Sequence, residues 1–174
     1  MIVSPLLVKA TILINNGKAL DLGFGNGLEV LYLLSRNFKV TAIEKDNILV
    51  NEIKLLNLNN LQIINNNILD FDFNEKFDLI NCSFVLHFLK TNAKSIVKKI
   101  KNATNQEGIN LIIAFLDKGD FERFNEGFFK SHELKEIYSD WEIIDYFEKE
   151  VKTKEVNVDG TPKKQFAAFL LARK

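Results

Sequence analysis

The sequence predicts an α/β fold: a doubly wound, mostly parallel seven-stranded sheet that closes with a C-terminal antiparallel hairpin. Three observations predict it. Short apolar runs alternate with longer amphipathic stretches up to about residue 116, the pattern of βαβ units. A glycine-rich bend joins the first strand-like run to the helix after it. The last two strand-like runs have no helix between them, and a parallel pairing would need a crossover of about a dozen residues or more.

Taken in order, a first helix is expected over residues 6–14 and a buried strand over 18–22. A helix over 27–35 and a strand over 39–44 complete the first βαβ unit. A helix over 48–56 leads to a third strand, 61–65, and the fourth strand is 77–83. A helix over 93–103 precedes the fifth strand, 109–116. Ser131 reads as the N-cap of a further helix beginning near Glu133 and Leu134, because a hydroxyl there can accept from an early backbone N–H. Strands over 141–151 and 165–172 flank a turn rich in Asn157, Asp159, Gly160 and Pro162, and pair as the hairpin.

Nothing in the 174 residues resembles a repeat, a Pro/Gly-rich linker or a low-complexity block, so a single domain over 1–174 is expected. The 23 basic and 23 acidic side chains balance to zero formal charge. A nucleic-acid binder normally carries a basic excess, because phosphate contacts dominate its affinity, so no nucleic-acid partner is expected. Lys98-Lys99-Ile100-Lys101 and Lys163-Lys164 read as a solvated helix end and a turn. No apolar run approaches the roughly 18 residues that span a bilayer, so no membrane partner is expected. The N-terminal stretch lacks the basic region and small-residue cleavage site of a signal peptide, and Cys82 is the single cysteine. A cytoplasmic location, as monomer or homodimer, is the resulting expectation.

The stretch that carries chemistry is Asp21-Leu22-Gly23-Phe24-Gly25-Asn26-Gly27. It leaves an apolar strand, passes three glycines at alternate positions and enters a helix. Glycine is needed where the chain turns sharply with positive φ and where a ligand lies against bare backbone. A dinucleotide fingerprint would place its third glycine at position 28, which is leucine here. Asp21 at the start of the bend suits a cationic ligand and disfavours a pyrophosphate. Glu44 ends the second strand, 17 residues after Gly27, where a carboxylate can accept both hydroxyls of a ribose. Together these residues predict a nucleoside site.

The same residues resemble the cofactor motifs of class I S-adenosyl-L-methionine (SAM)-dependent methyltransferases, a Rossmann-like fold. Further stretches resemble the tellurite-resistance methyltransferase family: Leu31-Tyr32-Leu33, Phe77-Asp78-Leu79-Ile80, Val85-Leu86-His87-Phe88-Leu89, Gly108-Ile109-Asn110-Leu111-Ile112 and the closing Leu171-Ala172-Arg173-Lys174. The resemblance implies SAM as cofactor and a small-molecule methyl acceptor. It assigns the methionine part of the cofactor to Asp21, Gly23, Gly25 and Gly27, with Phe24 and Asn26 of the same loop also at the cofactor, the ribose to Glu44, and the adenine surroundings to Lys45 or Asp46 and to Asn67 and Ile68. Ser83 and Phe84 are implied near the sulfonium, with His87 and Arg123 as pocket candidates. Three positions depart from the family pattern. Phe24 is large where a small residue is usual, and could tighten the pocket. Asn67 stands where an acid is usual. Residues 152–156 lack the histidine–arginine pair that would supply a base.

Methyl transfer from a sulfonium is an in-line displacement in which alignment supplies much of the acceleration, on the order of 7–11 kcal/mol for well-oriented reactants. The missing base therefore favours a nucleophile that ionises by itself, of the soft chalcogen or thiol type. Residues 117–130, with Phe121, Phe124, Phe128 and Phe129, are the expected substrate cover, although at least half of those rings are expected to pack on the sheet. Cys82 reads as a small buried residue, since no basic neighbour supports a thiolate. A non-catalytic SAM- or nucleoside-binding protein, or a methyltransferase partner subunit, is the alternative reading. A nicotinamide oxidoreductase conflicts with Leu28 and the hairpin, and a methyltransferase of nucleic acid or protein conflicts with the neutral charge.

Overall fold

A computed structural model describes residues 2–121 and 126–174, with the backbone alone at Lys154. The helix α1 (Pro5–Leu13) starts on a proline, whose fixed φ and missing N–H suit a first helical turn. The first βαβ unit is β1 (Gly17–Leu22), α2 (Leu28–Ser35) and β2 (Phe38–Glu44). Next come α3 (Asn47–Lys54) and β3 (Leu61–Asn65), with the Asp46 side chain capping α3 through the Ile48 and Leu49 N–H groups. β4 (Phe77–Ser83) leads to α4 (Ala93–Asn102), whose buried Ala93, Ile96, Val97 and Ile100 form one apolar stripe. β5 (Thr104–Gly119), α5 (Glu133–Ile137), β6 (Glu142–Val156) and β7 (Pro162–Arg173) complete the chain.

The seven strands form one sheet in the order β3-β2-β1-β4-β5-β7-β6. The first five neighbours pair in parallel, and β7 runs antiparallel to both β5 and β6. The expected hairpin is therefore present, with β7 inserted between β5 and β6. The apolar core divides between the two faces of the sheet. Leu22, Ile80, Cys82 and Ile112 pack toward α4 and α5, whereas Ala19, Val40, Leu79 and Leu111 pack toward α1, α2 and α3. Strands covered on both faces read as continuous apolar runs, which is why β1 shows four consecutive buried positions. Strand order reverses between β1 and β4, and the crevice at such a switch point is where open α/β sheets bind ligands. Among the described residues, no helix is long and apolar enough to cross a membrane.

Three expectations require correction. β5 is longer than 109–116, because its first residues pair with Phe77 of β4 and its last with Gln165 of β7. The hairpin strands likewise extend past their apolar stretches, since the ladder continues through Lys152↔Lys164 to Val156↔Pro162. Ser131 does not cap α5. The cap position is His132, in the left-handed region at φ 64°, while the Ser131 hydroxyl donates to Glu148 at 2.7 Å. A carboxylate on the neighbouring strand competes for that hydroxyl and wins. Two 3₁₀ segments, Ile68–Asp70 and Leu86–Asn92, lie where the sequence shows no periodic signal.

Candidate functional site

The bend after β1 is held to β2 by backbone bonds: Gly23 and Phe24 both donate to the Ile43 carbonyl, at 2.8 and 3.3 Å. Gly25 and Gly27 have φ of 54° and 76°, in the region that favours glycine. They serve different ends. A Cβ on Gly25 would meet nothing within 4 Å, so that face of the backbone is open. A Cβ on Gly27 would lie 2.7 Å from the end of Ile53, so Gly27 brings α2 close to α3. Asn26 Oδ1 accepts from Leu28 N at 3.2 Å and steadies the first turn of α2.

Glu44 is tied into this bend. Its Oε2 accepts from Gly25 N at 3.1 Å, and its Oε1 accepts from Lys45 N at 2.8 Å and Asp46 N at 3.1 Å. Three backbone donors take up three of roughly four acceptor positions of the carboxylate. Glu44 therefore builds the bend as well as facing the cavity beside it, and a ribose diol would share its oxygens with the loop.

Asp21 is 1% exposed at the end of β1. One carboxylate oxygen accepts from Asn81 Nδ2 at 2.7 Å, and the other, Oδ2, is buried with no hydrogen-bond partner. Burial pushes this carboxyl up to about 7; the Asn81 bond pulls it down, and the Glu29 and Glu44 carboxylates raise it further. A buried anion with an unsatisfied oxygen is costly, and a cationic ligand group would relieve that cost.

These residues open on a cavity of about 580 Å³, within the size range of small-molecule and cofactor sites. Asp21, Gly23, Phe24, Gly25, Asn26, Glu44, Lys45, Asn67, Ile68, Ser83 and Phe84 all line it, whereas Gly27 does not. Phe24 is 4% exposed and packs into the core among the α1–α3 side chains, so the cavity persists beside it. Asn67 Oδ1 accepts from Leu69 N at 3.0 Å, capping the 3₁₀ turn that shapes this wall. Sequence reasoning missed Glu29, Asn66 and Leu69 as wall residues, along with Val85, Phe88 and Leu89, whereas Asn81 lies in the strand-end segment expected near the sulfonium. The charged lining among the described residues is Asp21, Glu29 and Glu44 against Lys45, a balance that suits a cation.

The other end of the cavity is apolar and strained. Phe84 holds φ 56° and donates its N–H to Ile113 O at 2.8 Å. Lys90, at φ 50° and ψ −131°, lies within the segment that carries Phe88, which is 57% exposed. Bulky residues in such conformations are rare and cluster at functional sites. His87 is buried outside the cavity wall, its ring stacked on Phe115 at 4.5 Å and tilted against Phe88 at 4.0 Å. Burial lowers its imidazole to about 4, so it is neutral at physiological pH. Cys82 is fully buried and its thiol is pushed up by burial, in keeping with a structural residue. Beside His87 and Phe115, and off the cavity wall, Phe121, Phe128 and Phe129 are buried, and Gly127 lies so close to the His87 backbone that a Cβ would sit 2.7 Å from its carbonyl oxygen. Most of the four rings thus pack inward. Phe124 and the pocket candidate Arg123 lie outside the described residues.

The family model for tellurite resistance protein TehB matches residues 3–170. The probable S-adenosyl-L-methionine-dependent methyltransferase TehB of Haemophilus influenzae is 33% identical over 97% of this chain and 61% of its own length. This chain thus spans under two thirds of that relative. The crystal structure of TehB from Haemophilus influenzae matches with a TM-score of 0.85 at 32% identity, over 99% of this chain and 62% of that one. A Burkholderia thailandensis 1,6-didemethyltoxoflavin-N1-methyltransferase, solved with bound 1,6-didemethyltoxoflavin and S-adenosylhomocysteine, shares the fold at a TM-score of 0.71 and 16% identity, over 98% and 76% of the two chains. With nearly its whole length matched by the family model and its sheet, bend and cavity arranged as described, the chain belongs to the TehB family, on the class I methyltransferase fold.

Proposed function

We propose that this chain is a SAM-dependent methyltransferase acting on a small molecule, with a nucleophile of the soft chalcogen or thiol type. The observation that carries this reading is the unpartnered Asp21 Oδ2, buried beside the bare Gly25 backbone and Glu44 in one cavity. The TehB relative named a probable SAM-dependent methyltransferase supports it, as does the fold relative holding S-adenosylhomocysteine.

In this reading Asp21 takes the cofactor's ammonium group and Gly23 and Gly25 give room for its methionine part. Glu44 accepts from the ribose, and Lys45, Asn67 and Ile68 surround the adenine. Ser83 and Phe84 lie by the sulfur. SAM supplies a methyl group already activated on a sulfonium. The protein's contribution is to align the acceptor and to exclude water, through Phe84, Val85, Phe88 and Leu89 on the apolar wall. His87, neutral and removed from the wall, is an orienting or packing residue here and not a base. That arrangement favours acceptors that reach the site already ionised, such as thiols, selenols or chalcogen oxyanions. The same reading gives a single domain in the cytoplasm, monomeric or dimeric, with no nucleic-acid or membrane partner.

A methyl-transfer assay with SAM against a panel of thiols, selenite and tellurite tests it. Turnover on at least one member is expected. SAM binding without turnover on any of them would instead favour a cofactor-binding subunit, a reading supported by the absence of a base among Phe84, Val85, Phe88 and Leu89 on the apolar wall.

A further inference from the structure

Asp21 and Asn81 are register partners on the adjacent parallel strands β1 and β4, at the point where strand order reverses. Their side chains meet on one face of the sheet, and both residues are almost wholly inaccessible, at 1% and 3% exposure. Asn81 Nδ2 donates to Asp21 Oδ1 at 2.7 Å, and Ser83 Oγ donates to Asn81 Oδ1 at 2.7 Å.

This relay has a direction. The Ser83 hydroxyl occupies the carbonyl oxygen of the Asn81 amide, which leaves the amide N–H₂ to face Asp21. A flipped amide would set oxygen against the Asp21 carboxylate and lose that bond, while the Ser83 hydroxyl would turn from donor to acceptor, so the carboxylate sets the direction and Ser83 holds the amide in place. The Asn81 bond is also the one neighbouring interaction that favours the charged form of Asp21, whereas Glu29 and Glu44 oppose it. With Oδ1 occupied by Asn81, the carboxylate is fixed so that Oδ2 is the oxygen left for a ligand.

We propose that Asn81 is a positioning residue for cofactor binding: it fixes the Asp21 carboxylate with Oδ2 presented to the cavity, and Ser83 fixes Asn81 in turn. The proposal rests on the SAM-binding reading above and adds to it a second strand and a pair of residues. Asn81 acts on binding through Asp21, so its removal harms binding only while Asp21 carries a carboxylate.

Calorimetric titration of the whole chain with SAM, in a double-mutant cycle, tests this coupling. In the Asp21 background, Asn81→Leu should weaken SAM at least ten-fold, and Ser83→Ala two- to five-fold. In the Asp21→Asn background, the same Asn81→Leu should change affinity less than two-fold. Equal losses in both backgrounds would mark Asn81 as a general structural residue and overturn the proposal. So would unchanged affinity in Asn81→Leu. If Asn81→Leu does not fold, the smaller polar change Asn81→Ser gives the same cycle. There, a loss that persists undiminished in Asp21→Asn, or no loss at all, is the overturning result. A wild-type chain that takes up no SAM would instead overturn the binding reading itself, and this proposal with it.

Discussion

The two ends of the cavity are built on opposite principles. At the β1–β2 end, Glu44 accepts three backbone N–H groups of the loop, and among the buried side-chain atoms of the described residues there Asp21 Oδ2 is left over. At the β4–β5 end, aromatic rings set the shape, and the backbone takes up strain at Phe84 and Lys90. In the proposed reading the first end is fixed for one charged, nucleoside-bearing ligand. The second offers apolar surface and, among its described wall residues, no titrating group, which suits an acceptor that brings its own reactivity. The contrast teaches that a member of this fold can specify its cofactor closely through a few polar atoms while leaving the acceptor to packing.

The sharpest way to break this comparison is at the bend. Gly25→Val should reduce SAM affinity by about 100-fold or more, because its side chain would enter open space needed by the ligand. Gly27→Ala, off the cavity wall, should leave SAM affinity within about three-fold while lowering stability by roughly 1–2 kcal/mol through its positive φ. Titration and thermal melts on both variants separate ligand space from helix packing; similar affinity losses would contradict the division.

Next comes Glu44→Ala, which should weaken SAM by roughly 1.5–3 kcal/mol through lost charge-assisted hydrogen bonds. Unchanged affinity would remove the ribose assignment.

The two ends should also respond to pH with opposite signs. The Asp21 carboxyl is raised in the fold from about 3.8 to about 7, so it favours the fold at low pH and that contribution is lost as pH rises through 7. The His87 imidazole is lowered from 6.5 to about 4, so its contribution is present above 6.5 and lost as pH falls through 4. Asp21→Asn should therefore stabilise the ligand-free chain at pH 8 by roughly 1–3 kcal/mol and by much less at pH 4. His87→Phe should flatten the loss of stability between pH 6.5 and 4. Denaturant melts from pH 4 to pH 8 check both, and a matching sign for the two variants would contradict the account. The smallest expected effect is at the strained end. Lys90→Gly should raise stability by about 1 kcal/mol, since glycine tolerates φ 50° with ψ −131°.

Legibility in the sequence follows the same division. The bend, Glu44 and the hairpin were readable because each depends on local spacing: glycines at alternate positions, an acid at a strand end, two strand-like runs without a helix. Asn81 was not readable as the partner of Asp21, because 60 residues separate them and only the strand order brings them together. The 3₁₀ segment over Leu86–Asn92 was equally hidden, since Phe84 and Lys90 adopt conformations that their residue types do not announce. Ser131 has the residue type of a cap, yet Glu148, from a strand later in the chain, captures its hydroxyl. The role of Glu44 in holding the bend was also out of reach, because a carboxylate that braces a loop and one that binds a ribose look alike in sequence.

A crystal of the whole chain grown with S-adenosylhomocysteine tests the central claim most directly. The account predicts the ligand's ammonium within hydrogen-bond distance of Asp21 Oδ2 and its ribose against Glu44. A bound ligand whose ammonium lies elsewhere, with Asp21 Oδ2 still unpartnered, would contradict it.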